Sequence, residues 1–347
     1  KKDLLINKNS LKNYLSKKLS LKDIEKSLNN LKLFSNLKTK ALKSQDKPEY
    51  IAILYYCDHF LFISKLWKSE QKGIVVEGII ELPIPAKVIG DNLITNIDEL
   101  IELTLDSFEV LKLSKPPLLV ILASSLFNIK SFKKEDVKII EEKNELIQSK
   151  SPYLPEDTFT EFQIFKENTF NAIYVRKTLI SGWIKLLKKI KSPVIGITTP
   201  GPHQLDILRE NKKIISDLEI IIDIELSSST VFTFNKLYQI SSQKLPYGSI
   251  LYRKEELINS YFSRLTKSIK LIANDLKLEF PEKIYVYGFG LDDFEFASEK
   301  LPYPFVKFTE LNQINHEFPQ ITKSKEIVNK EFNSKLNTIL GITNRCL

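Results

Sequence analysis

From residue 50 onward, apolar positions come in dense runs with short polar interruptions. YIAILYY, FLFISKL and GIVVEGIIELPIP follow one another in this way. That density predicts three strands of an antiparallel meander. NIDELIELTLDSFEVLKL then changes to helical spacing, with Asn96 placed to cap it. PPLLVILASS reads as a buried strand, and FKKEDVKIIEEKNELIQSK reads as helix. FTEFQIF and FNAIYVR are two short strands. TLISGWIKLLKKIKSP is a helix that ends before Pro193, because the residue ahead of a proline is pushed out of the helical region. PVIGITT is again a strand, and PHQLDILRENKKII is helical.

From Glu219 the order repeats in outline. EIIIDIELSSSTVFTFNKLYQISSQKLPYG predicts a strand series with two tight connections. ELINSYFSRLTKSIKLIANDLKL predicts a long helix, and EKIYVYGFG a buried strand running into a glycine turn. FEFASEKL and PFVKFTEL follow as helix and strand, and the last forty or so residues are weakly patterned. The chain therefore reads as two α/β lobes, each opening with a meander. No short-period solenoid repeat is visible.

Ahead of the first meander, Leu21, Ile24, Leu28 and Leu31 recur at helical spacing behind Ser20, and KSQDKPEY forms a linker. Charge separates this leader from the rest. Residues 1–47 hold 13 lysines against Asp3, Asp23, Glu25 and Asp46, a net +9, whereas the whole chain of 347 residues nets +8. The body is thus near neutral, which argues against nucleic acid as its partner, since such a domain needs its own cationic face. For the leader, two readings stand: an amphipathic segment touching an anionic membrane or a partner, or a helix packed on the body by its leucines. With 43% apolar residues a sizeable core is expected. Cys57 and Cys346 are too far apart in sequence to suggest a disulfide framework, and they fit a reducing compartment. His59, His203 and His316 lack ligand spacing, so no metal site is expected. No apolar run is long enough to cross a bilayer, and no secretory signal pattern opens the chain.

Four stretches taken in order resemble the actin-like ATPase superfamily, and within it the PilM family of type IV pilus assembly. They are ELPIPAKVIGDNLITNIDELIELTLDSFEVLKLSKPPLLVILASS, SKSPYLPEDTFTEFQIF, NAIYVRKTLISGWIKLLKKIKSPVIGITTPG, and IIIDIELSSSTVFTF followed by KLPYGS. The resemblance covers roughly residues 48–310 and rests on order and spacing, not on any single motif. It implies an α/β, ribonuclease H-like two-lobed fold. A basic helical extension (1–47) would precede lobe I (48–216, with an inserted subdomain at about 95–198) and lobe II (217–347).

Proteins of this superfamily hold ATP between two hairpins, one from each lobe, whose backbone amides meet the phosphates. Glycine allows the close approach, and an aspartate organises Mg²⁺. By the resemblance, the first hairpin places Leu54 at the aspartate position and Tyr56 at the glycine position. Asp58 lies four residues on, about 13 Å along a strand, too far for a direct substitute. Cys57, Asp58 and His59 read as a polar hairpin tip, since nothing marks a base-orienting partner for a Cys–His nucleophile. In the second hairpin, Asp223 stands at the aspartate position, Ser227, Ser228, Ser229 and Thr230 supply hydroxyls, and Glu225 replaces a glycine. The four hydroxyls are equally at home in a plain turn. Gly288 and Gly290 match the adenosine turn in form. The expected cofactor is none, or weakly bound ATP, with no catalytic residues and no appreciable hydrolysis, because phosphoryl transfer needs all these parts held together. The resemblance implies a cytoplasmic scaffold, peripheral on the inner membrane, that binds the cytoplasmic tail of a bitopic pilus assembly protein. The groove for this tail would lie near Leu118–Ala123 and Phe159–Val175, and residues 1–40 would add an anionic membrane contact. The alternatives are an active actin-like ATPase or sugar kinase, and a filament or division protein.

Overall fold

A computed structural model describes residues 50–58, 60–69, 73–133, 147–164, 169–201, 203, 218–235, 240–252, 255–275, 277, 279–281, 284–288 and 305–307. The leader, the segment PHQLDILRENKKII beyond His203, the FEFASEKL helix, Gly290 and the weakly patterned C-terminus lie outside the described residues.

The first meander forms as its apolar density predicts: β1 (Tyr50–Cys57), β2 (Phe60–Ser69) and β3 (Gly73–Pro83) pair antiparallel in sequence. The segment IGDNLI is a small hairpin of β4 (Ile89–Gly90) and β5 (Leu93–Ile94). Asp91 and Asn92 turn it, both with positive φ (48° and 63°). Short polar side chains tolerate that left-handed geometry, which a two-residue hairpin turn requires.

Helix α1 (Ile97–Val110) starts where Asn96 caps it: Asn96 Oδ1 accepts from Glu99 N (3.2 Å), and Asn96 Nδ2 donates back to Glu99 Oε2 (3.0 Å). The chain then enters β6 (Leu118–Leu122), which lies parallel to β1 and is buried along its whole length. A turn of 3₁₀ helix (Ser124–Leu126) leads into β7 (Asn128–Lys133). This strand went unrecognised in the sequence, where Phe132 and Lys133 were assigned to a helix. β8 (Thr158–Ile164) and β9 (Thr169–Arg176) join β7 in a three-stranded antiparallel sheet of order β7-β9-β8.

Helix α2 (Lys177–Ile190) buries Leu179, Ile180, Trp183, Leu186, Leu187 and Ile190 along one side, and it ends at Lys191 in the left-handed region, ahead of Pro193. It packs against α1, and Lys189 Nζ reaches Asp98 Oδ1 at 2.7 Å. β10 (Val194–Thr198) then pairs parallel with β6 and completes a five-stranded sheet of order β10-β6-β1-β2-β3. Both β6 and β10 fall within the range 95–198 expected for an insert, yet they are built into this sheet. The part that departs from it is the three-stranded sheet between them.

The second half repeats the plan. β11 (Glu219–Ile224), β12 (Ser229–Phe234) and β13 (Ile240–Leu245) form a meander. After α3 (Ser249–Tyr252) and α4 (Glu255–Asp275), β14 (Ile284–Gly288) lies parallel to β11, and β15 (Phe305–Lys307) lies parallel to β14. The sheet order β13-β12-β11-β14-β15 matches β3-β2-β1-β6-β10 strand for strand. Among the described residues, no helix is long and apolar enough to cross a membrane.

The pleat sends alternate residues to opposite faces of each sheet. In the second sheet, Ile220, Ile222, Ile224 and Val231 pack with Tyr261, Leu265 and Ile269 of α4. Ile221, Phe232, Phe234, Tyr285 and Tyr287 take the other face and join a cluster that contains most of the first lobe's core. The inner faces of the two lobes therefore join in one apolar cluster, while the second lobe keeps a separate core against α4.

Candidate functional site

Alternation on β1 decides what reaches the space between the hairpins. Tyr56 points to the helix side: its ring lies 5.7 Å from that of Trp183 on α2, and its hydroxyl donates to Asn92 Oδ1 at 3.5 Å. Leu54 shares that face by the two-residue period. The residue that meets the second hairpin is Tyr55. Its hydroxyl is held protonated, with its pKa pushed well above the ordinary value, first by burial and then by the neighbouring Cys57, Asp223, Glu225 and Tyr287. The side chain facing the second hairpin is thus one residue away from the Leu54 and Tyr56 positions that the resemblance marks. The resemblance aligned motifs, whereas the pleat sets which side chains face inward.

The second hairpin sorts its polar residues by the same rule. Asp223 pairs with Thr230 across β11 and β12, and the two are fully buried. Ser229 takes the opposite face, where its Oγ donates to Tyr247 O (2.9 Å) and lies 3.2 Å from Tyr261 Oη. That places it against α4 and away from the other hairpin, contrary to its expected role toward a nucleotide. Ser228 Oγ donates to Glu225 Oε2 at 3.0 Å, and Glu225 is only 1% exposed. Glu225 is therefore turned inward, on the side where it acts on Tyr55. Gly288 closes β14 against Ile224, its register partner, with φ +127°. A Cβ there would stand 2.0 Å from Ile224 O, so the glycine is required by strand packing whether or not any ligand is bound.

Asp58 is the residue whose role was missed. It sits at the tip of the first hairpin with φ +45°. One carboxylate oxygen, Oδ2, accepts from the backbone N–H of Leu226 (2.5 Å), and the other, Oδ1, accepts from Ser227 Oγ (2.8 Å). The two hairpins thus meet tip to tip through a bidentate, charge-assisted contact. The available signal was a single acid in a turn between two apolar strands, set opposite a turn rich in hydroxyl donors. The opposing tip is fixed from behind as well: Ser249 N donates to Glu225 O (2.8 Å), and Ile250 N donates to Leu226 O (3.0 Å). The crossing is so close that a Cβ on Gly248 would lie 2.3 Å from Glu225 O.

A second seam lies at the three-stranded sheet. β7 runs beside β13 of the other lobe, and Ile129 N donates to Ser242 Oγ at 2.8 Å. At the far side of this small sheet, β8 has no strand partner on its outer edge among the described residues. β8 carries Glu161, which is 5% exposed and whose carboxyl is pushed up to about 7 by burial. β6, by contrast, is buried throughout and cannot offer its side chains to a groove. Of the expected groove elements, β8 is the one with an open edge.

Two sheets of identical order, each presenting a hairpin to the other, define an actin-like ATPase fold. The solved PilM–PilN type IV pilus biogenesis complex is similar to this chain with a TM-score of 0.62 at 13% identity, covering 85% of this chain and 98% of that one. This is a PilM-like form of the fold. A protein of Bacteroides thetaiotaomicron with an actin-like ATPase fold and unknown function gives a TM-score of 0.48 at 10% identity, covering 79% and 96%. The ethanolamine utilization protein EutJ from Carboxydothermus hydrogenoformans gives 0.45 at 12%, covering 93% and 98%. No family model and no curated protein matches the sequence.

Proposed function

We propose that this chain is a scaffold of a type IV pilus or related secretion assembly, one that captures the cytoplasmic tail of a bitopic membrane protein and works without nucleotide chemistry. The observation that carries the reading is the combination of a PilM-like fold with hairpins closed on each other by Asp58. A magnesium triphosphate needs free amide donors, a glycine-lined approach and a carboxylate open to a hydrated cation. Here Leu226 N–H and Ser227 Oγ are engaged by Asp58, Tyr55 stands on the approach, and Glu225 adds buried negative charge. These residues do not fit that cofactor.

The open edge of β8 supports the tail-binding part. An extended segment can add main-chain hydrogen bonds to such an edge, with alternate side chains read by neighbouring pockets. Residues 1–40 supply a second contact, to an anionic membrane surface. Each basic residue close to such a surface contributes about 1 kcal/mol. The site of action is then the cytoplasmic face of the inner membrane.

Calorimetric titration of the full chain tests both halves. We expect micromolar binding of a synthetic peptide copied from the short cytoplasmic tail of a bitopic pilus assembly protein. No saturable heat is expected with Mg-ATP. Binding of Mg-ATP in the micromolar range would return the chain to the active ATPases. Silence toward the tail peptide would remove the scaffold reading.

A further inference from the structure

We propose that Asp58 is an internal ligand: its carboxylate occupies an anion site at the tip of the second hairpin, joining the two hairpins as a bound oxyanion would. The site is built from the second lobe alone. Its donors, Leu226 N–H and Ser227 Oγ, are adjacent along the chain and each takes one carboxylate oxygen. They are held in place independently of Asp58, because the carbonyls of Glu225 and Leu226 are tied on the other side to Ser249 N and Ile250 N. Donors fixed in this way gain strength toward a charged acceptor, since nothing must be reorganised when it arrives.

The occupant is presented by backbone geometry. At φ +45°, Asp58 takes the left-handed turn that aspartate, asparagine and glycine accept better than other residues. Ser227 is exposed and Asp58 is half-buried, so a small anion from solution can reach the position if the carboxylate is absent. Charge limits what such an anion can be. Glu225 and Asp223 are buried close to Tyr55 behind the tip, and they disfavour a polyphosphate. The class that fits is a small, singly or doubly charged oxyanion such as formate, acetate or inorganic phosphate.

Substitution followed by anion rescue tests this in the full chain. Asp58→Gly removes the carboxylate while suiting the positive φ, so any loss reports the contact and not backbone strain. Hydrogen exchange at the Leu226 amide is the readout. We expect exchange to rise about tenfold in Asp58→Gly, as for loss of one charge-assisted bond. Formate or phosphate should then restore protection in a saturable way, where chloride at equal ionic strength does not. The parent chain should not respond to either anion. Asp58→Asn also suits the turn and fills the same space without charge, so it should lose part of the protection and resist rescue. Unchanged protection in both variants overturns the proposal. So does an equal response of parent and glycine variant to phosphate, which would mark an adventitious ion only. If Asp58→Gly does not fold, Asn alone decides: full parental protection in Asp58→Asn refutes an anionic occupant.

Discussion

Replacing Gly288 by alanine separates two explanations for a glycine at the end of a buried strand. If the residue is there to let an adenosine approach, a methyl group should leave the unliganded protein as stable as before. The structure says otherwise. The residue holds φ +127°, a conformation that side chains rarely adopt, and an added Cβ would lie 2.0 Å from Ile224 O and 2.7 Å from Ile224 C and N. The backbone penalty is about 1–3 kcal/mol. Relieving overlap with a neighbouring strand adds about 1–3 kcal/mol, since backbone atoms move only by shifting the sheet. We expect Gly288→Ala to lose about 2–6 kcal/mol in total, a large share of the roughly 5–15 kcal/mol that holds an ordinary protein folded. Urea denaturation followed by tryptophan fluorescence measures it. Trp183, packed against Tyr56 within lobe I, is 1% exposed, so the signal also shows whether damage in lobe II reaches lobe I. A loss below about 1 kcal/mol, with no nucleotide present, would refute the packing argument.

Two further substitutions test other parts of the fold. Asn96→Ala removes the acceptor for Glu99 N and should cost about 0.5–2 kcal/mol in thermal or urea unfolding, the usual worth of an N-cap. Burial pushes the carboxyl of Glu161 up from the ordinary 4.5 to about 7. Between those values the folded chain keeps a proton that the unfolded chain has released, so this group makes stability fall as pH rises through the window and level off above it. Glu161→Gln should flatten that slope and stabilise the chain above pH 7 by about 1–3 kcal/mol, allowing for solvent screening near the sheet edge. Matched urea titrations at acid and neutral pH check this, and a steeper slope in the variant would contradict it.

Strands that are apolar along their length, such as β1 and β6, were plain in the sequence, because burial on both faces leaves no polar alternation to confuse them. α1 was equally plain, since its cap and its period agree. β7 was not: NIKSFK mixes lysine and serine with apolar residues, and it becomes a strand only by pairing with β9, distant in sequence. The site was legible by region and not by residue. Asp223 and Thr230 face each other across the second hairpin, yet Ser229 turns to α4, and Tyr55, not Tyr56, faces that hairpin. A motif places residues along a strand, but a shift of one position reverses the face. Asp58 escaped because its partners, Leu226 and Ser227, belong to the other lobe, a relation that no local pattern encodes.

The apolar cluster common to both halves bears on how the molecule comes apart. Ile221, Phe232, Phe234, Tyr285 and Tyr287 lie in the same cluster as Tyr55, Leu122 and Trp183, so separating the halves would expose inner-face apolar residues of both. We expect the two halves to unfold together through this shared cluster. A single heat-absorption peak, with calorimetric and van't Hoff enthalpies in agreement, is the signature of such unfolding.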